Sequence, residues 1–118
     1  MNKNIQLGKK GEQVAKDYLI GKGHLILETN FRFEHNEVDI ISLENDILIF
    51  SEIKTRSNFN FGYPEEAVNQ KKQEALKKVA EFYLLEYPEF MQLRFDIISC
   101  LIHNEMVLEI RHFEDAFY

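Results

Sequence analysis

Two short stretches, Glu37-Val38-Asp39-Ile40-Ile41 and Ile49-Phe50-Ser51-Glu52-Ile53-Lys54, set ionisable side chains among Val, Ile and Phe residues that favour a buried strand. Each reads as a β-strand, and the polar Glu44-Asn45-Asp46 between them reads as a hairpin turn. Side chains alternate across a strand, so Glu37 shares a face with Asp39, and Glu52 with Lys54. Two carboxylates and an ammonium are thereby directed toward one end of the pair. Such charges are unfavourable among apolar neighbours unless they are paired or bound to an ion. Paired acids with a lysine two residues after the second are the parts required for metal-dependent phosphodiester hydrolysis. The acids offer oxygen ligands to a hard cation, and the ammonium can orient the attacking water. The same residues also fit an ordinary cross-strand salt bridge, worth roughly 0.2–1 kcal/mol if exposed.

The remaining chain reads as scaffold, and its 118 residues suit one domain spanning 1–118. Leu7, Gly11, Val14, Ala15, Tyr18 and Leu19 recur at helical spacing between about residues 4 and 22, with Gly21 and Gly23 as stops. Gly8 and Gly11 each weaken a helix by roughly 1 kcal/mol relative to alanine, which predicts close packing of this helix on the sheet. Glu12, next to that small face, fits either an ordinary solvated position or a third acid leaning over the sheet. A first strand is expected over 24–33, followed by a turn at Glu34-His35-Asn36. Ser57 to Pro64 reads as a loop whose Phe59, Phe61 and Tyr63 suit stacking on bases or packing as a lid. Pro64-Glu65-Glu66 opens a second helix running to about Tyr87. Leu93 to His103 and Met106 to Arg111 form a closing hairpin around Asn104, and Glu114 to Tyr118 a short tail. This order predicts an α/β sandwich with a mixed five-stranded sheet.

The net charge of -6 argues against broad, non-specific DNA binding, which depends on Lys and Arg releasing counterions. A local basic rim remains available in Lys9, Lys10, Lys54, Arg56, Lys71 and Lys72, which lie near or between the acids in sequence. The single cysteine, Cys100, excludes an internal disulfide and reads as a buried, inert thiol. No run approaches the ~20 apolar residues of a membrane span, and Met1-Asn2-Lys3-Asn4 leads into no apolar signal segment. A cytoplasmic location without membrane association is expected.

Seven ordered stretches carry a family resemblance. They are Gly8-x-x-Gly11-Glu12-x-x-Ala15, Asn30-x-Arg32, Glu37-Val38-Asp39-Ile40-Ile41, Ser51-Glu52-Ile53-Lys54-Thr55-Arg56, Gly62-Tyr63-Pro64-Glu65-Glu66-Ala67-Val68 with Lys71, Arg94-Phe95-Asp96, and Ala116-Phe117. With these the chain resembles, over almost its whole length, the YraN-like family of small bacterial proteins. Those proteins are predicted nucleases of the restriction-endonuclease-like fold, akin to archaeal Holliday-junction resolvases. Asn36 and Ser51 depart from the Gly and Val usual there. Asn36 still tolerates a left-handed turn, and Ser51 points away from Glu52 and Lys54.

The resemblance implies a three-layer sandwich with a PD-(D/E)xK core. In it Asp39 and Glu52 are metal ligands, joined by the carbonyl of Ile53, and Lys54 is the catalytic lysine. Glu12 matches the helical acid that such nucleases often add, bound through water or a second ion. The implied cofactor is Mg²⁺ or Mn²⁺ and the implied substrate DNA, including branched or otherwise non-standard structures. Arg56 and Lys71 are placed to hold phosphate, with Lys9, Lys10 and Lys72 as further nucleic-acid contacts. Kinship to resolvases points to a homodimer. A second class of function also fits: a non-catalytic DNA-binding or protein-interaction module that keeps the nuclease fold. The acidic net charge favours this module, and the presence of both acids and the lysine speaks against it.

Overall fold

The computed structural model describes residues 3–58 and 68–118. Helix α1 (Lys3–Gly21) leads through Gly23, whose φ of 96° suits glycine, into three strands, β1 (Leu25–Phe33), β2 (Asn36–Glu44) and β3 (Ile47–Arg56). Helix α2 (Gln70–Glu86) and the strands β4 (Gln92–His103) and β5 (Met106–Phe117) follow. Asn45 and Asp46, and later Asn104 and Glu105, all have positive φ, as expected of the two-residue turns that match the twist of paired strands.

The sheet order is β1-β2-β3-β4-β5. Every neighbouring pair is antiparallel except β3 and β4, which are parallel. A parallel pair needs a crossover, and α2 lies in that connection. The helices cover opposite faces. Leu76, Val79, Ala80 and Tyr83 of α2 pack with Val38, Ile41, Leu48, Phe50 and Phe95. Ala15 and Leu19 of α1 pack with Ile40, Ile53, Ile98, Cys100 and Ile102. The fold is therefore an α/β sandwich with a central mixed five-stranded sheet, of the restriction-endonuclease-like kind. Among the described residues no helix is long and apolar enough to cross a membrane.

Two boundaries differ from the sequence expectation. The second helix starts at Gln70, where the Asn69 side chain caps it by accepting the Lys72 N–H at 2.9 Å. Most of the aromatic loop (59–63) and the predicted helix opening at 64–67 lie outside the described residues. The supposed tail is the second half of β5, which reaches Phe117. It continues there because Asp115, at φ 53°, donates its N–H to Asp96 at 3.0 Å while Phe117 pairs with Phe95.

Asp96 has no exposed surface, yet it is fully partnered. It accepts from Arg94 Nε and Nη2 at 2.8 and 3.0 Å and from His112 Nε2 at 2.7 Å. His112 Nδ1 then accepts from the Tyr18 hydroxyl at 3.1 Å, tying α1 to β4 and β5. Burial alone would raise the Asp96 carboxyl. The His112 and Arg94 hydrogen bonds and the Asp115 N–H outweigh it and hold the group below its ordinary value.

The glycines of α1 play different parts. A Cβ on Gly11 would overlap the Thr55 hydroxyl and come within 2.9 Å of Thr55 Cβ and Cγ2, so β3 and α1 touch there. A Cβ on Gly8 would meet nothing within 4 Å, so Gly8 is not a packing glycine as expected. Gly8→Ala should therefore stabilise the helix by up to about 1 kcal/mol, read as a higher urea midpoint with unchanged slope.

Candidate active site

The strand-alternation expectation for Asp39 needs correcting. Val38 and Ile41 face α2, whereas Ile40 faces α1, so strict alternation fails around Asp39. The β2–β3 ladder also begins only at Ile40 opposite Ser51. Beyond it Asp39 Oδ2 accepts the Ile53 N–H at 2.8 Å. A carboxylate thus stands where a strand carbonyl would, and the strands part around it. Glu52, on the same face of β3 as Phe50, is only 4% exposed. It lies close enough to Asp39 to share a hydrogen bond, which requires a proton between the two carboxyls.

These residues meet a cleft of about 600 Å³ between α1 and the end of β3, room for a nucleotide rather than a lone ion. Gly8, Glu12, Asp39, Glu52, Ile53, Lys54, Thr55 and Arg56 line it. A neighbouring cleft shares Gly8, Glu12 and Asp39 and adds Lys9, Lys16, Thr29 and Asn30. Lys54 is half-buried and makes no ion pair among the described residues. Lys72 turns inward from α2, its Nζ 3.0 Å from Glu52 Oε2. Lys10 and Lys71 are exposed and line neither cleft.

Burial pushes the Asp39 carboxyl up to about 8, reinforced by Glu52 and opposed by the Ile53 N–H and the Lys72 charge. Burial and the nearby Asp39 charge also raise Glu12, while a hydrogen bond from Asn30 opposes the rise. Asn30 makes this contact from a left-handed backbone, φ 52°, in β1. No role was assigned to Asn30 from the sequence, although Asn in a β-rich run is itself a sign of an irregular strand.

A raised carboxyl has a definite effect on stability. Between the ordinary carboxylate value and about pH 8, folded Asp39 holds a proton that the unfolded chain has lost. Its contribution is full at low pH and disappears as pH rises through 8, with a slope of at most ~1.4 kcal/mol per pH unit. In EDTA, wild type should therefore lose stability relative to Asp39→Asn as pH rises from about 5 to about 9. Paired urea melts across that range check the sign.

Among the described residues no three His, Cys, Asp or Glu side chains converge to ligate one ion, so Glu12 does not complete a direct ligand triad with Asp39 and Glu52. The remaining donors still suit a hard cation. Mg²⁺ commonly binds through one or two carboxylates and keeps several waters. Glu52 Oε2 is buried, and its charged neighbour among the described residues is the Lys72 ammonium at 3.0 Å.

Fold and cleft together define a nuclease-like α/β protein with two acids and a lysine at the parted strands. The chain belongs to the uncharacterised protein family UPF0102, whose family model matches residues 11–100. That range contains Glu12, Asp39, Glu52, Lys54 and Lys72. It is 44% identical over 117 residues to a UPF0102 protein of Natranaerobius thermophilus, covering 97% of this chain and 98% of the relative. A relative in Alkaliphilus oremlandii is 45% identical over 120 residues, with 99% and 100% covered. One in Flavobacterium psychrophilum is 40% identical over 118 residues, with 100% and 98% covered.

Proposed function

We propose that this protein is a metal-dependent endonuclease that hydrolyses DNA phosphodiester bonds, including those of branched or otherwise non-standard structures. The observation that carries the reading is the Asp39 carboxylate breaking the β2–β3 ladder to bond the Ile53 N–H beside the buried Glu52. An ordinary salt-bridged hairpin has no reason to part its strands there. Asp39, Glu52 and the Ile53 carbonyl would hold Mg²⁺ or Mn²⁺, with Glu12 acting through water. When bound, such an ion polarises the scissile phosphate and makes its water a better nucleophile.

The chain's own residues do the positioning. Asp39 is fixed by the Ile53 N–H, so its free oxygen has a defined direction. Lys54 orients the attacking water and offsets charge that develops on the phosphate. Arg56 and Lys9, in the two adjoining clefts, take the flanking phosphates. A two-fold homodimer would present a pair of such sites to opposite strands.

The Lys72–Glu52 ion pair favours the second reading, a non-catalytic DNA-binding or protein-interaction module, because it supplies Glu52 with a cation without any metal. A cleavage panel separates the two. Single-stranded, duplex, flapped and four-way DNA are incubated with Mg²⁺ or Mn²⁺. Ion-dependent nicking supports the nuclease, and binding without cleavage on every substrate supports the module.

A further inference from the structure

We infer that Lys72 is the resident counter-cation of Glu52, which a divalent ion must displace, and that it thereby sets the affinity of the site for that ion. The inference rests on the reading of Asp39 and Glu52 as ion ligands. Lys72 is a positioning residue in this role.

The pairing is asymmetric. Glu52 cannot leave, because its side chain is only 6% exposed and its strand is central in the sheet. The Lys72 side chain is 35% exposed and rises from the first turn of α2, whose backbone is fixed by the Asn69 cap. Its long stem lets the ammonium return to water while the helix stays in place. Nζ lies 3.0 Å from Oε2, a contact of opposite charges that a freely rotating ammonium makes without a fixed fork of donors. A divalent ion on the same oxygen would face a like charge a few ångströms away, and the mobile partner is the lysine. Glu52 therefore alternates between two cations, one built into the chain and one taken from solution.

The test is calorimetric titration of Mn²⁺ into the full chain without DNA. Lys72→Met should bind Mn²⁺ about tenfold tighter than wild type, since it removes the competing charge. Lys72→Arg, which keeps a cation in reach, should stay within about threefold of wild type. Lys78→Met, on the exposed side of the same helix, controls for net charge and should change nothing. If Lys72→Met does not stay folded, Lys72→Gln carries the same expectation. Equal Mn²⁺ affinity in wild type and the neutral variants would overturn the counter-cation role alone. Failure of every form to bind Mn²⁺ would overturn it together with the nuclease reading. Binding by the neutral variants only would be the strongest form of the predicted result.

Discussion

Glu52→Gln should lower DNA cleavage by about 10³-fold or more while leaving the fold intact and DNA binding equal or stronger. The amide keeps the shape of the side chain but is a poor ligand for a hard divalent ion. It also removes the neighbouring negative charge that disfavours ionisation of Asp39. Lys72 loses its partner but is exposed enough to be hydrated. Stability without metal should then stay level or rise, and stabilisation by added Mn²⁺ should shrink. If the Glu52–Lys72 pair instead held the fold together, the substitution would destabilise it at every Mn²⁺ concentration, by as much as about 3–5 kcal/mol for a buried pair. Thermal melts of both forms across a Mn²⁺ titration separate these outcomes.

Gly11→Ala should destabilise the protein by about 2 kcal/mol or more, although alanine is the better helix former. The added methyl would overlap the Thr55 side chain, and α1 would have to lift from β3. Glu12 follows directly in sequence, so the displacement also opens the cleft and should lower cleavage. Thr55→Ala in the same chain should restore only part of the loss, because Thr55 Cβ itself lies 2.9 Å from the new methyl. Urea unfolding of the single and double variants measures both effects. Gly8→Ala, one turn earlier, has the opposite expected sign, which makes the pair a check on where the helix touches the sheet.

Much of this fold was legible because its signals are local. The 3.6-residue stripe of α1, the apolar strand runs and the Asn-rich turns all appear at the expected places. The end of β5 was not legible, because Glu114, Asp115 and Ala116 are exposed on an edge strand and look like a polar tail. What keeps them in the sheet is a tertiary bond from the Asp115 N–H to Asp96. Asp96 had its own signal, a charge within an apolar run and two residues after Arg94, but nothing in the sequence identifies His112 as its partner.

The candidate site was legible in its parts and not in its geometry. Alternation alone set Asp39 on a regular strand, whereas the structure parts β2 from β3 at that residue. The spacing of Glu52 and Lys54 suggested a mutual salt bridge as the ordinary alternative. The cation on Glu52 is instead Lys72, twenty residues away in sequence. The early turns of the second helix were expected to project Gln70, Lys71 and Lys72 toward the acids, but no local pattern pairs Lys72 with Glu52.

The most direct measurement is anomalous diffraction from crystals soaked in Mn²⁺. The expected result is one strong peak within bonding distance of both the Asp39 and Glu52 carboxylates, with the Lys72 ammonium moved off Glu52. No peak at that position, with Lys72 still against Glu52 at saturating Mn²⁺, would contradict the account.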